Sequence, residues 1–113
     1  MQECLFCKIA NKQIAADIVF ENDQFVVFKD VEPKATVHLL VVPKKHINSV
    51  SALRENDREL ISDLIFTAKE VAKNAGLETG GYRLVFNSGS DAGQSVDHIH
   101  LHILGGSRLG PIA

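Results

Sequence analysis

The sequence feature that most constrains the fold of this chain is an alternation of histidine and apolar residues near its end. The segment reads His98-Ile99-His100-Leu101-His102-Ile103-Leu104. Because successive side chains of a β-strand point to opposite faces, this spacing predicts a last strand with three imidazoles on one surface and aliphatic anchors beneath. The remaining histidines are His38 and His46, so most of the chemistry available near neutral pH is concentrated in this segment.

A single metal ion is a poor explanation for all three histidines. A regular strand rises about 3.3 Å per residue, so the backbones of His98 and His102 would lie about 13 Å apart. Zinc binds imidazole nitrogen at about 2.0–2.1 Å, which lets one ion take two neighbours of the row but hardly three. We therefore expect the histidines to have divided roles. A half-exposed face with no chemical task is the alternative interpretation.

Composition predicts one domain spanning residues 1–113. The chain has 113 residues, of which 45% are hydrophobic and 23% charged, enough for a modest core. The net charge is −2 and no lysine or arginine run stands out, which argues against a nucleic-acid partner. The apolar runs are too short to span a membrane, and Met1-Gln2-Glu3-Cys4 does not resemble a signal peptide. The expected location is the cytoplasm.

Hydrophobic patterning predicts an α+β fold. Strands are predicted over residues 18–20, 25–28, 38–42 and 82–86, with the histidine row as the fifth. Turn-forming residues 21–24 join the first two strands into a hairpin, and Pro43 ends the third strand. Residues 4–10 are predicted to form a short helical turn. The expected architecture is a five-stranded antiparallel sheet with one long helix and a short N-terminal helix, the helices packing on one face.

The long helix is predicted from apolar residues that recur at steps of three and four between Leu60 and Ala72. Asn56 and Glu59 have the spacing of a capping box at its start, although asparagine replaces the usual serine or threonine. Gly76 is the expected C′ residue after the helix ends.

A polar loop directly precedes the histidines and has the composition of a phosphate-binding loop. Gly89 and Gly93 allow backbone N–H groups to point inward. Hydroxyl and amide groups come from Ser88, Ser90, Ser95, Asn87 and Gln94. Such a cluster can cradle phosphate oxygens, although a Gly/Ser loop alone is also typical of an ordinary turn. Its position next to the histidines favours the phosphate interpretation.

Phosphate beside imidazole indicates phosphoryl or nucleotidyl transfer. A neutral histidine is a competent nucleophile when one ring nitrogen is free and the other holds its proton against an acceptor such as a backbone carbonyl. The middle histidine, His100, is the candidate nucleophile. His102 could donate to a non-bridging oxygen, and Ser95 could bind the phosphate or pass a proton to the leaving group.

The segment Gly93-Gln94-Ser95-Val96-Asp97-His98-Ile99-His100-Leu101-His102-Ile103-Leu104 resembles the signature of the histidine triad (HIT) superfamily. Gly105-Gly106 after it resembles the histidine triad nucleotide-binding (Hint) branch. Further likeness lies in residues 6–9, 28–31, 38–46 and from 87 onward. The resemblance implies a HIT-like fold, a homodimer, and a purine nucleotide as the substrate.

The resemblance also implies roles for individual residues. His100 matches the nucleophile, and His38 matches a histidine that buttresses it. His102, Asn87 and Ser95 match phosphate contacts, with Gln94 in the same loop. Asp30 matches the carboxylate that binds the ribose hydroxyls, and an apolar base pocket is matched by Phe6, Ile9, Phe28 and Val31. Judged from the residues alone, an aspartate in a loop, such as Asp30, is more often a turn residue, and Phe6 and Phe28 could equally be simple core.

The implied activity is hydrolysis of purine nucleoside phosphoramidates. A nucleotidyl group would pass to His100, and water would then release AMP or GMP. Three alternatives stay open: a dinucleoside polyphosphate hydrolase, a nucleotide-binding interaction module with incidental turnover, and a small zinc-stabilised scaffold with no nucleotide role.

The pair Cys4 and Cys7 raises a separate metal question. In a cytosolic chain two such thiols are metal ligands or plain thiols more often than a disulfide. Zinc takes four ligands, and His46 and His98 are available to complete the set. Some relatives carry a structural zinc held by two cysteines and two histidines at the matching positions. The resemblance thus implies a structural Zn²⁺ at Cys4, Cys7, His46 and His98 that catalysis does not require.

Overall fold

Five antiparallel strands form one sheet in the order β1-β2-β3-β5-β4 in the computed structural model, which describes residues 4–112. The elements are α1 (Leu5–Ala10), β1 (Ile18–Glu21), β2 (Phe25–Lys29), β3 (Val37–Pro43), α2 (Arg58–Asn74), β4 (Tyr82–Val85) and β5 (Leu101–Gly105). The predicted α+β class, the five strands and both helices are confirmed. Residues 1–3 and residue 113 lie outside the described part. The expectation that there is no signal peptide concerns residues 1–3 and so stays a prediction.

The predicted hairpin of β1 and β2 forms because its turn satisfies its own backbone. The side-chain oxygen of Asn22 accepts hydrogen bonds from the backbone N–H groups of Gln24, at 2.9 Å, and Phe25, at 2.8 Å. An asparagine that bonds its own backbone in this way replaces the partners that an isolated turn would lack. The register of the hairpin then places Glu21 opposite Val26.

The two helices pack on opposite faces of the sheet, so the expectation that both lie on one face is wrong. Helix α2 covers a face built from alternate residues of β2, β3 and β5, with the buried side chains Phe25, Val27, Leu39, Val41, Leu101 and Ile103. Helix α1 packs against Val26, Phe28, Leu40 and Val42 on the other face. The reason is that β2 and β3 are apolar on both faces, and such strands need cover on both sides.

The last strand begins at Leu101, three residues later than the sequence predicts. The ladder between β3 and β5 runs from Val37 opposite Gly105 to Val41 opposite Leu101. Continued, it would pair residue 99 with Pro43, which has no N–H to donate, and the ladder stops there. Instead, the Pro43 carbonyl accepts a hydrogen bond from Nε2 of His98 at 2.7 Å. The histidines therefore do not form one regular row, because His98 and His100 precede the strand.

The end of α2 follows the prediction, but its start does not. Gly76 has a positive φ of 79° and its N–H donates to Lys73, while Leu77 donates to Ala72, the pattern of a Schellman motif. At the other end the helix follows Asp57, not Asn56, and the predicted capping box is absent. The buried Asp57 carboxylate instead accepts a hydrogen bond from the backbone N–H of Arg54 at 2.9 Å. Its other oxygen forms an ion pair with Nζ of Lys45 at 2.7 Å.

The chemistry-bearing side chains of the sheet lie on the α1 face. His38 of β3 alternates with Leu39, and His102 of β5 alternates with Ile103, so the imidazoles point away from α2. No helix within residues 4–112 is both long enough and apolar enough to cross a membrane.

Candidate active site and metal centre

His100 is a buried neutral imidazole with one ring nitrogen free. Its side chain is 5% exposed, and Nδ1 lies 2.6 Å from the backbone carbonyl of His98. Because a carbonyl can only accept, Nδ1 carries the proton and Nε2 keeps its lone pair. Burial lowers the pKa of His100 below its ordinary value, while the His98 carbonyl and the Asp30 charge oppose this. The ring therefore has the protonation state that a nucleophile toward phosphorus requires.

A chain of hydrogen bonds sets the protonation of two further imidazoles. The backbone N–H of Lys34 donates to Nδ1 of His38 at 3.0 Å, so His38 carries its proton on Nε2. That Nε2 lies 2.8 Å from Nδ1 of His102. His102 therefore accepts at Nδ1 and holds its own proton on Nε2. This chain of hydrogen bonds leaves His102 with a donor, Nε2–H. The ring of His102 lies beside that of His100, with 5.0 Å between the two ring centroids.

Burial keeps this pair of imidazoles uncharged. Burial first, and then the neighbouring His100 and His38, lower the pKa of His102 to about 4. Burial also lowers the pKa of His38, against the opposing charge of Asp30. The hydrogen bond of His38 is to His102 and not to His100, so any support it gives the candidate nucleophile is indirect.

Asp30 lies at the edge of the same cluster. One carboxylate oxygen accepts the backbone N–H of Glu32 at 2.9 Å, which fixes the turn after β2. The other oxygen lies 3.4 Å from Nε2 of His38. Asp30 is therefore a turn residue whose carboxylate also lies beside the imidazoles, and its contact with ribose hydroxyls stays a prediction.

The group Asp30, His38 and His102 has the composition of a metal site, since its ligand atoms lie within 4.8 Å of one another. A metal would need a lone pair on Nε2 of His38. The Lys34 N–H occupies the lone pair at Nδ1, so the proton of His38 must sit on Nε2. The hydrogen bonds therefore favour proton positioning over metal binding in this group.

The polar loop is held by the side chain of Gln94. Its Oε1 accepts the N–H of Gly89 at 2.8 Å, and its Nε2 donates to the carbonyls of Asn48, at 2.7 Å, and Val96, at 3.0 Å. Gly89 and Gly93 have φ of 88° and 81°, which side chains with a Cβ rarely adopt. The amide of Gln94, predicted to contact substrate, is thus used to shape the loop.

Asn87 and Ser95 keep uncommitted polar groups. Within residues 4–112, neither the Asn87 amide nor the Ser95 hydroxyl takes part in a side-chain hydrogen bond, and Ser95 is exposed. Ser95 lines a surface cavity of about 560 Å³ with Cys4 and His46, on the side of the cysteines.

The predicted base pocket is only partly assembled. Phe6, Ile9 and Phe28 are buried together in the apolar cluster under α1. The ring of Phe6 meets Phe28 edge-on at a centroid distance of 5.4 Å and His100 at 4.9 Å. Val31, by contrast, is 93% exposed and does not belong to this cluster. All three buried residues are therefore core residues, and Phe6 also borders the candidate nucleophile.

A second cluster brings Cys4, Cys7, His46 and His98 together, with all four ligand atoms within 4.8 Å of one another. Nδ1 of His98 lies 3.3 Å from Sγ of Cys4 and 3.6 Å from Sγ of Cys7, and Nδ1 of His46 lies 3.2 Å from Sγ of Cys7. In a tetrahedral zinc site, sulfur and nitrogen ligands are about 3.6 Å apart, given the usual bond lengths. The cluster has nearly these dimensions.

Both histidines of this cluster are oriented by bonds at their other nitrogen. Nε2 of His98 donates to the Pro43 carbonyl at 2.7 Å, and Nε2 of His46 donates to the side-chain oxygen of Asn48 at 2.7 Å. Such partners leave the Nδ1 lone pairs pointing at the thiols, as metal-binding histidines require. Burial, with the neighbouring Cys4, raises the pKa of Cys7 to about 11, so a metal would have to displace its proton. These residues fit a zinc ion.

Comparison with known proteins places the chain in a family. The family model described as "Scavenger mRNA decapping enzyme C-term binding" matches residues 3–111. An uncharacterized HIT-like protein of Synechocystis is 46% identical over 105 residues, covering 93% of this chain and 91% of that protein. The structure is similar to a HIT family hydrolase from Legionella pneumophila, with TM-score 0.94, 47% identity and 96% of each chain covered. It also resembles a histidine triad nucleotide-binding protein from Candida albicans, with TM-score 0.82, 28% identity and coverage of 98% and 84%.

The match over nearly the whole chain and the high identity of the relatives show that this chain belongs to the histidine triad family. The resemblance stated from the histidine segment is thereby confirmed.

Sequence reasoning missed the backbone groups that complete the site. The N–H of Lys34 and the carbonyl of Pro43 set the proton positions of His38 and His98, yet neither can be identified from a side-chain motif. The only sequence signal was Pro43 itself, because a proline at the end of a strand leaves its carbonyl available while ending the ladder.

The lowered pKa of His102 predicts how stability depends on pH. Below about pH 6.5 the unfolded chain protonates this histidine, whereas the folded chain does so only near pH 4. The free energy of unfolding should therefore fall as the pH drops from 6.5 to 4, with up to about 1.4 kcal/mol per pH unit due to this group. His102→Gln should make that slope shallower, as measured by urea unfolding at pH 7.0, 5.5 and 4.5. Equal slopes in the two proteins would contradict the assignment.

Proposed function

We propose that this chain is a purine nucleoside phosphoramidate hydrolase that transfers a nucleotidyl group to His100 and then to water, releasing AMP or GMP. The observation that carries the proposal is the hydrogen bond from His100 Nδ1–H to the His98 carbonyl, which leaves Nε2 free. Hydrolases and nucleotide-binding proteins among the similar solved structures add support.

In the first step the Nε2 lone pair of His100 attacks the phosphorus of the substrate. The P–N bond breaks as the Nε2–P bond forms, and the leaving amine must gain a proton. Charge develops on the non-bridging oxygens, and His102 Nε2–H is the donor available beside them. By family resemblance the amide of Asn87 and the hydroxyl of Ser95 would be further donors, and Ser95 could also pass the proton to the amine. Ser95 lies on the side of the cysteines, so this role would require the loop to move toward the phosphate.

In the second step water attacks the same phosphorus, and the bond to His100 breaks. The ring returns to its neutral state with Nδ1–H still bonded to the His98 carbonyl. The oxygen and one hydrogen of the attacking water join the phosphate of the product, and the other proton passes to solvent or to the group that protonated the amine. Because Nδ1 keeps its acceptor throughout, the imidazole need not rotate between the two steps. A fixed ring of this kind reduces the entropic cost of both attacks.

The nucleoside part of the substrate would lie between Asp30 and the wall formed by Phe6, Ile9 and Phe28. The Asp30 oxygen that faces His38 could accept hydrogen bonds from the ribose hydroxyls. An apolar wall distinguishes poorly between purines, since it offers no donors or acceptors for their edges.

Removal of the nucleophile tests the mechanism. His100→Gly should lower the turnover of adenosine 5′-monophosphoramidate by more than about 1,000-fold, because no other group forms the covalent intermediate. AMP binding, measured by calorimetry, should persist. Mass spectrometry of the wild type, quenched at neutral pH during turnover, should find the nucleotidyl adduct on His100.

An adduct on another side chain, or full activity in His100→Gly, would overturn the mechanism. The same preparation also separates the alternatives. A faster rate on diadenosine polyphosphates would indicate the dinucleoside hydrolase, and a partner retained by the inactive variant would indicate an interaction module. A failure to bind AMP would indicate a scaffold.

We propose further that Cys4, Cys7, His46 and His98 hold one structural Zn²⁺, which would tie the N-terminus to the histidine segment. The proposal predicts about one zinc ion per chain, measured as metal content by inductively coupled plasma mass spectrometry. Replacing both cysteines by serine should remove the zinc and lower Tm by more than about 5 °C, because metal binding contributes to folding free energy. His38→Gln, a change in the other histidine cluster, should leave the zinc content unchanged. Equal zinc content in the double serine variant would contradict the ligand set.

A homodimer is proposed from family resemblance, and the sheet offers an edge for it. Strand β4 pairs only with β5 among the described strands, and Leu84 on it is 36% exposed. If two copies continue the sheet there, light scattering should give the mass of two chains, and Leu84→Lys should shift it toward one. Val19→Lys on β1, the opposite edge, should not. A monomeric wild type would contradict the proposal.

A further inference from the structure

We propose that the cysteine–histidine cluster orients the ring of His100, and that Phe6 and the backbone carbonyl of His98 are the positioning groups through which it acts. The inference goes beyond a structural role for the cluster. It rests on the proposed role of His100 as the nucleophile and on the proposed metal at Cys4, Cys7, His46 and His98.

The first connection is within His98 itself. Its ring is fully buried, bonded at Nε2 to Pro43 and directed at Nδ1 toward the two thiols. The carbonyl of the same residue accepts the Nδ1–H of His100 at 2.6 Å. Residues 98–100 lie outside the regular ladder, and the peptide that carries this carbonyl is held by the Ile99 N–H, which donates to the Ile47 carbonyl at 2.6 Å. Ile47 follows His46, so both the backbone bond and the buried ring of His98 connect the acceptor of His100 to the cluster.

The second connection runs through α1. Phe6 stands between Cys4 and Cys7 in the chain, and its ring meets the His100 ring edge-on, at a centroid distance of 4.9 Å and an interplanar angle of 89°. The same phenyl ring lies 6.0 Å from the ring of His98. A helix of six residues has no stability of its own, so its place on the sheet depends on its anchors. The two cysteines that flank Phe6 are such anchors.

Both connections act on one imidazole. The carbonyl fixes which nitrogen carries the proton, and the perpendicular phenyl ring restricts rotation of the imidazole about its own axis. A nucleophile held in its attacking orientation lowers the entropic part of the barrier, and this effect appears in kcat. A contact with the purine base would instead appear mainly in KM. The two roles of Phe6 can therefore be told apart.

The kinetic test compares two variants of the zinc-loaded protein. Phe6→Leu keeps an apolar side chain and all four proposed ligands, so its zinc content should equal that of the wild type. We expect kcat to fall by about 10-fold or more, because leucine lacks the ring that packs edge-on against His100. KM should change by less than about threefold, because leucine keeps the wall beside the nucleoside apolar. Val26→Ala removes buried volume from the same apolar cluster without touching His100, and its kcat should stay within about twofold. An increase of KM alone in Phe6→Leu would overturn the proposal in favour of a base contact.

The second test reads the ring itself, by ¹H–¹⁵N NMR of the histidine side chains. In the zinc-loaded wild type, His100 should give one sharp set of signals with the proton on Nδ1. Chelator-stripped wild type and Phe6→Leu should both show shifted or broadened His100 signals. Identical His100 signals in loaded and stripped protein, or in wild type and Phe6→Leu, would overturn the proposal. This measurement does not use hydrolysis, so a protein without phosphoramidase activity could still pass or fail it.

Discussion

The site depends on His98, a fully buried histidine that bonds in three directions. Its Nε2 donates to the Pro43 carbonyl, its Nδ1 faces two thiols, and its own carbonyl accepts the proton of His100. The first bond holds the ring to strand β3, the second directs it to the N-terminal helix, and the third fixes the tautomer of the candidate nucleophile. A buried polar residue is stable in the core only when its groups are paired, and here the pairing also organises the chemistry.

The sheet separates stability from chemistry by its two faces. The buried part of the face under α2 is apolar and includes Val27, Val41 and Leu101, so it can supply much of the hydrophobic free energy of folding. The other face is apolar only where α1 covers β2 and β3. Toward β5 it bears His38 and His102, kept neutral by burial and by their bonds to each other and to the backbone. Uncharged imidazoles can be buried there at a cost that hydrogen bonds offset.

Neighbouring histidines take different roles because their backbone partners differ. Carbonyls accept from His98 and His100, whereas an N–H donates to His38. As a result, Nε2 of His100 keeps a free lone pair, whereas Nε2 of His102 carries a proton. In the proposed mechanism, the first imidazole would attack phosphorus while its neighbour donates to the charge that forms. Side-chain identity alone does not distinguish these states, since neutral histidine has two tautomers of similar energy.

The sequence by itself determined the family, the α+β class, the hairpin, the end of α2 at Gly76 and the residue types of both histidine clusters. Periodicity and turn chemistry are local, so they could be identified without coordinates. The tertiary structure decided where β5 begins, on which face α1 packs, that Gln94 shapes its loop, and that Val31 stays exposed. It also decided the partner of His38. These outcomes depend on backbone groups from distant segments, such as the Pro43 carbonyl and the Lys34 N–H. Every residue carries such groups, so only the fold determines which side chains they meet.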